Sequence, residues 1–417
     1  MIDRLALLGG APAVTAEHEP VCEWPRLDDS DEQAVLRVLR DGNLSTHPVT
    51  RELERDYAAF AGRNHALAHN NGTAALLAAF FALNLAPGDE ILVPTATFWA
   101  SVLPMCWLGL VPVFCNSESD RLGIDPADME RKISDRTRAV VVVHLWGMPA
   151  KMSEILALAK RHHLKIIEDA SHTHGARWRD RPCGSLGDIS VFSLQGDKLA
   201  PAGEGGVLLC DDYAYYERAV CLGDITRIFE LQTAARRFAA TSFGIKTRMA
   251  PLSAALARSQ LAKLAAHNAQ RNQNHRYLSQ ALEGLGFETF LPPAHIHRVY
   301  FEFIVRHQDA SIPLELLVRA LQAEGCRVAL PRYPLVHQQP FFSEGHCARL
   351  ARICGIPDHP GYRAVDLERT AAGARSLLRL PNFPGPDNGL LSQYLTAFAK
   401  VMEQKEALLS AADDVVS

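Results

Sequence analysis

Lys198 and Asp169 are the two residues of this 417-residue chain whose types and settings could act together on a carbonyl. Lys198 lies in the short loop QGDKLAPAGEGG (195–206), between the strand-like runs ISVFSL and GGVLLCD. A lysine attacks an aldehyde only as the neutral amine, and partial desolvation or nearby positive charge lowers its pKa toward that state. Asp169 closes the apolar run KIIED, and a carboxylate leaving such a run either finds a partner or faces a cleft at the sheet's C-terminal edge. An acid that keeps a ring nitrogen protonated and a lysine that bonds the aldehyde are the two fixed points of a pyridoxal phosphate site.

Other residues extend this reading. Gly72, Thr73 and Ala74 join ALAHN to a helix-like stretch, where helix N–H groups and a hydroxyl could receive a phosphate; Thr73 as a simple N-cap is the competing reading. Thr97-Phe98-Trp99 follows EILVPT, and either aromatic could cover a flat ring or belong to the core. His172 could reach the ring's phenolic oxygen or be an ordinary capping histidine, and Ser193 could donate to phosphate. Gly203, Gly205 and Gly206 let the lysine loop bend, or form a mere turn. The pairs His162-His163, His172-x-His174 and His295-x-His297 lack a third spaced ligand, so no metal is expected. No G-x-S-x-G elbow or Walker loop is present.

Composition narrows the class. A hydrophobic fraction of 48%, a charged fraction of 22% and a net charge of -4 describe an ordinary globular chain with no polyanion partner. The nine cysteines are scattered without a C-x-x-C pair, which argues for core thiols in a reducing cytoplasm. No signal-like N-terminus and no membrane-length apolar run are found, so no membrane association is expected.

The elements that must position these residues alternate. Helical patterns over DEQAVLRVLRDG and Thr50 to Gly62, stopped by Gly42 and Gly62, precede the runs ALAHN, EILVPT, VPVFCN, RAVVVVHLW, KIIEDAS, ISVFSL and GGVLLCD, which alternate with helix-like segments. That predicts a mostly parallel sheet wrapped by helices. Long helical patterns follow Tyr213, notably Leu252 to Leu282. From Phe287 the chain mixes strand-like YFEFIVR with helix-like LELLVRALQAEG, then a final helix over Leu390 to Leu408, as a smaller α+β domain. The expected division is 1–250 for the large domain and 251–417 for the connecting helix and smaller domain.

With these segments in order, the chain resembles the DegT/StrS-type aminotransferases. The resemblance runs through WPRLDDSDEQAVLRVLRDGNLS, NNGTAAL, PGDEILVPTATFWAS, VHLWGMPAKM, IEDASHTHGA, GSLGDISVFSLQGDKLAPAGEGG, FGIKTRMAPLSAALARSQLAKL and RYPLVHQQPFF. It implies fold-type I architecture, a three-layer α/β/α domain with pyridoxal 5′-phosphate as cofactor. It also implies that Lys198 bonds the cofactor, Asp169 pairs with the ring nitrogen, His172 contacts the phenolic oxygen and Phe98 stacks on the ring. Gly72, Thr73, Ala74 and Ser193 would hold phosphate. Such proteins are homodimers whose partner loop closes the phosphate pocket. That loop often carries a G-Y-N-Y-R-M-like motif, whereas this chain reads Gly244-Ile245-Lys246-Thr247-Arg248-Met249, so Lys246 is expected to meet phosphate as a point charge.

Gln195, where many sugar aminotransferases carry an aromatic, resembles the cyclitol-acting branch. Relatives with histidine in place of the lysine dehydrate instead, so Lys198 favours transamination. The implied reaction moves an amino group from glutamate or glutamine to a keto-sugar or keto-cyclitol, in secondary-metabolite or polysaccharide biosynthesis. The alternatives are dehydration, elimination or decarboxylation on the same fold, or a non-catalytic regulator. Tyr333 and His337 fall in the segment that the resemblance places near the substrate.

Overall fold

The computed structural model describes residues 4–241, 244–356, 362 and 367–415. Helix α1 (Asp29–Asp41) starts at a capping box between Asp28 and Asp31, and α2 (Val49–Ala61) follows. Both stop where Gly42 and Gly62 turn left-handed at φ 73 and 66, a conformation that glycine adopts without a Cβ clash.

Then come β1 (His65–His69), α3 (Gly72–Ala82), β2 (Glu90–Pro94), β3 (Val111–Cys115) and β4 (Thr137–Val143). Next are α4 (Met152–Arg161), β5 (Lys165–Asp169), β6 (Ile189–Ser193) and β7 (Gly206–Cys210). These strands form one seven-stranded sheet in the order β1-β7-β6-β5-β4-β2-β3. All neighbours pair in parallel except β7, which runs antiparallel to both β6 and β1. Ile91 to Val93 and Ala139 to Val142 are fully buried, as apolar strands covered on both faces must be. Six strand ends therefore point to one edge, where loops can deliver side chains into a common crevice.

Helix α5 (Tyr213–Gly223) leads to α6 (Pro251–Glu283), which packs against α1 and α2. A second, antiparallel sheet joins β8 (Phe287–Glu288), β9 (Phe303–His307) and β10 (Leu377–Leu380), with α7 (Leu314–Ala323) between β9 and β10. Its core gathers Phe287, Phe303, Leu317, Leu378 and Phe398, together with Leu5, Val14 and Val21 from the other end of the chain. The helix expected over Leu390 to Leu408 is two, α8 (Leu390–Glu403) and α9 (Lys405–Val415). The chain leaves helical geometry at Gln404, and Lys405 donates to Asp309 at 3.2 Å, which anchors the start of α9. Among the described residues no helix is long and apolar enough to cross a membrane. All nine cysteines are free, seven of them buried.

Candidate active site

The C-terminal ends of the parallel strands surround a cavity of about 620 Å³. Gly72, Thr73, Phe98, Asp169, His172, Ser193 and Lys198 all line it. Ala74 and Lys246 do not. They line an adjoining cleft of about 520 Å³ that shares Asn71, Thr73 and Trp99 with the first.

The shared wall is the N-terminus of α3. Asn71, not Thr73, caps this helix, its side-chain oxygen accepting from the Ala74 N–H at 2.8 Å. The Ala74 N–H is thereby occupied, while Gly72 and Thr73 stand where helix geometry provides no partner for their N–H groups. Packing here is close. A Cβ on Gly72 would lie 2.8 Å from Ser193 Cβ, and one on Gly206 would lie 2.5 Å from the Asn71 carbonyl oxygen. Glycine at both positions lets β1, β6 and β7 bring Ser193 against the helix start.

Asp169 is buried and held on both oxygens. The Ser171 N–H donates to Oδ1 at 3.1 Å and the Ser101 hydroxyl to Oδ2 at 2.7 Å, with Thr97 Oγ1 2.9 Å from Ser101 Oγ. Nothing in the spacing of the sequence marks Ser101, since it meets Asp169 only when β2 and β5 lie in one sheet. One residue earlier, Glu168 faces the opposite way and is fully buried. It accepts the N–H groups of Gly184, Leu186 and Gly187 and lies 3.0 Å from His144 Nε2. The Ala150 N–H occupies His144 Nδ1 at 3.0 Å. Cys183 completes a buried trio with ligand-type atoms, but the His144 and Glu168 atoms are already engaged in tying β4, β5 and the loop before β6.

Lys198 is held by its own loop. Its N–H donates to the Gln195 carbonyl at 2.8 Å, and the Gln195 side chain accepts from the Asp197 N–H at 2.9 Å. The Trp24 indole donates to the Lys198 carbonyl at 3.1 Å, and the buried Arg271 guanidinium stacks 3.9 Å from the Trp24 ring. Burial pushes the Lys198 amine down to about 8, with Arg332 in the same direction and Asp169 and Glu302 opposing. The amine is therefore about half neutral near pH 8, far more so than an ordinary lysine.

His172 accepts the Trp146 N–H on Nδ1 at 3.2 Å and stacks on Phe301 with ring centres 4.1 Å apart and planes at 17°. Burial, with Lys198 and Arg332 nearby, holds its imidazole well below the usual range and so neutral. Phe98 is 40% exposed, tilted against Trp99 and Tyr333. Tyr333 lines the cavity, whereas His337 turns to Thr95, 2.6 Å from its hydroxyl. Phe301 and Arg332, which also line the cavity, come from the C-terminal part of the chain. Phe301 looks in the sequence like any other strand aromatic.

The segment 244–249 lies beside β1. The Asn70 N–H donates to the Thr247 carbonyl at 2.7 Å, and His69 Nδ1 is 2.9 Å from Thr247 Oγ1. Thr247 and Met249 are buried, while Ile245 and Lys246 are exposed. Phe243, at the head of that motif, lies outside the described residues.

Residues 25–352 match the pattern of the DegT/DnrJ/EryC1/StrS aminotransferase family. The chain belongs to this family. Among curated relatives, the GDP-perosamine synthase of Caulobacter vibrioides is 31% identical over 85% of this chain and 97% of its own length. A protein of Streptoalloteichus tenebrarius named for L-glutamine:3-amino-2,3-dideoxy-scyllo-inosose aminotransferase activity is 32% identical over 82% of this chain and 84% of its own. An aminotransferase from Psychrobacter cryohalolentis superposes with a TM-score of 0.82 at 26% identity, covering 92% of this chain and 99% of that one. DesV of S. venezuelae, solved with a ketimine intermediate, gives 0.76 at 30% identity over 90% and 94%. This aminotransferase thus shares its sequence pattern with the family over residues 25–352 and its fold with the two solved structures over about nine-tenths of its length.

Proposed function

We propose that this aminotransferase uses pyridoxal 5′-phosphate to move the amino group of glutamine or glutamate to the ketone of a hydroxylated ring, a keto-sugar or keto-cyclitol. The observation that carries this reading is that Lys198 and Asp169 line one cavity together with the N-terminus of α3. The residues fit the cofactor chemically. Gly72 leaves the backbone bare at a helix N-terminus beside Ser193, the arrangement that suits a phosphate. Phe98 offers an exposed flat face, and Asp169 offers a buried carboxylate to a ring nitrogen.

When bound there, pyridoxal phosphate supplies a carbonyl for the amine to bond and an electron-withdrawing ring. The protein's share is positioning and proton transfer. Asp169, fixed by Ser101 and Ser171, stabilises positive charge on the ring nitrogen. Lys198, brought toward the neutral amine by burial, would take the proton from the amino-bearing carbon and deliver it to the cofactor carbon that keeps the nitrogen. Neutral His172, oriented by the Trp146 N–H, offers its second nitrogen to the ring's oxygen substituent.

The acceptor class follows from the named activities of the relatives, which concern an aminated sugar and an amino-inosose. We further propose a homodimer that completes the cleft at Lys246, and a cytoplasmic setting that suits nine free cysteines. Purified protein loaded with pyridoxal phosphate and mixed with glutamate or glutamine should lose its visible absorbance band as the cofactor takes the amino group. Keto-sugars or keto-cyclitols should restore the band. A wild type whose band does not respond to any amino donor would sink the reading in favour of elimination, dehydration or decarboxylation.

A further inference from the structure

We propose that Arg332 is the recognition residue for the carboxylate of the amino donor, and that Asp197 occupies it whenever no donor is bound. This rests on the transaminase reading, because it concerns how one cavity serves two unlike substrates. The donor carries a carboxylate beside its amine. The acceptor ring carries no charge at the corresponding place, so a fixed, unpaired cation would favour one substrate at the cost of the other.

Lys198 and Arg332 are the only lysine or arginine side chains that line the cavity among the described residues, and Lys198 is committed to the reacting carbon. Both stand against the same ring. The Lys198 amine is 4.1 Å and the Arg332 guanidinium 5.9 Å from the centre of Phe301. A group held by Arg332 is therefore beside the amine that Lys198 serves. The acids facing this region are Asp169, Asp197, Glu204 and Glu302.

The two partners of Arg332 differ in kind. Nε lies 2.5 Å from Glu302 Oε1, and the Glu302 side chain is 1% exposed, so this is a buried ion pair, close in distance but without hydrogen-bond alignment. Nη1 lies 2.9 Å from Asp197 Oδ2, whose side chain is 54% exposed. Exposed ion pairs of that sort contribute little and exchange readily. Nη2 has no partner among the described residues. A donor carboxylate that displaces Asp197 gains the two-pronged Nη1 and Nη2 geometry that arginine offers and lysine does not. When the donor product leaves, Asp197 returns and neutralises the cation for the acceptor.

The test compares half-reactions. Arg332→Gln and Arg332→Lys should each raise the KM for glutamate about 100-fold, the loss expected for a two-pronged charged pair. The reverse half-reaction with an aminocyclitol, which has no carboxylate, should change less than about threefold over the same variants. Asp197→Asn should lower the glutamate KM, since the competing carboxylate is gone. Glutarate, a dicarboxylate without an amine, should bind the wild type by calorimetry and bind Arg332→Gln about 100-fold more weakly. Equal effects of Arg332→Gln on glutamate and aminocyclitol, or undiminished glutarate binding, overturn the assignment. A wild type that binds glutarate through Arg332 but takes no amino group from glutamate overturns the transaminase reading and leaves Arg332 as a carboxylate site only.

Discussion

The amine of Lys198 stands 4.1 Å from the centre of the Phe301 ring, so the lysine of the loop between β6 and β7 is roofed by an aromatic from the C-terminal part of the chain. Two opposed effects meet there. The ring face attracts the ammonium form, while the burial it helps to impose favours the neutral amine. Burial wins, and the amine is pushed down to about 8. Only the neutral amine bonds an aldehyde, so the rate at which cofactor-free protein captures pyridoxal phosphate should rise with pH and level off above about 8. Stopped-flow absorbance across pH 6 to about 10 measures it. Phe301→Ala, which admits water, should move the midpoint upward toward the ordinary lysine range of about 10.4. A wild-type midpoint already in that range would contradict the burial argument.

Asp169 is the second test. Its carboxylate is fixed by one backbone donor and one hydroxyl, so its position does not depend on the ligand. Asp169→Asn keeps the shape and removes the charge, and turnover should fall by about 10²–10³-fold, as when a preorganised electrostatic partner is lost. Ser101→Ala removes only the fixing hydrogen bond, worth about 1 kcal/mol, and should cost roughly fivefold. Steady-state kinetics with glutamate separates the two; a Ser101→Ala loss as large as that of Asp169→Asn would mean that Ser101 itself touches the cofactor.

What the sequence reveals and what it conceals divides along chain connectivity. Lys198, Asp169, Thr73 and Phe98 are legible because each follows an apolar run whose end must project from the sheet, and the structure brings all four to one cavity. Ser101, Phe301 and Arg332 are not marked in this way. Their roles arise from packing between segments far apart in the chain, and a local pattern does not encode that. Gln195 combines two places. It stands out in sequence as a substrate-branch residue and lines the cavity, and its side chain also closes the turn that carries Lys198. Thr73 reads as a possible cap, but Asn71 takes that place and leaves the Thr73 side chain on the cavity wall.

Glu168 predicts a stability effect distinct from catalysis. Both it and His144 are fully buried, and it gathers three backbone N–H groups besides the imidazole. Burial works against charge on either group. Even so, the His144 Nε2–H and the Gly184 N–H hold the Glu168 carboxyl below its usual range, while His144, whose Nδ1 accepts the Ala150 N–H, donates as the neutral imidazole. A lowered carboxylate pKa stabilises above the unfolded glutamate value of about 4.3 and loses its contribution as pH falls through the lowered folded value. The buried carboxylate therefore makes its full contribution near neutral pH. Glu168→Gln should cost about 3–5 kcal/mol in urea unfolding near pH 7, with a smaller loss at about pH 4. An equal loss at both pH values would show that the backbone bonds alone matter.

Lys246 tests the proposed dimer. It lies with Ile245, 52% exposed, and Trp107, 64% exposed, along the cleft behind Thr73, so a cation and apolar side chains share one open wall. Association of two copies there would cover the apolar groups and place a lysine near the phosphate end of the cavity. A lysine acts as a compact point charge with no fixed hydrogen-bond fork, so its grip on phosphate should be salt-sensitive. The wild type should sediment as a dimer, and its dissociation constant for pyridoxal phosphate should rise between 50 mM and 500 mM salt. Lys246→Ala should remain dimeric, bind the cofactor about tenfold more weakly at low salt, and lose most of that salt dependence, because the interaction that salt screens is no longer present. A monomeric wild type with unchanged cofactor affinity in Lys246→Ala would remove Lys246 from the site altogether.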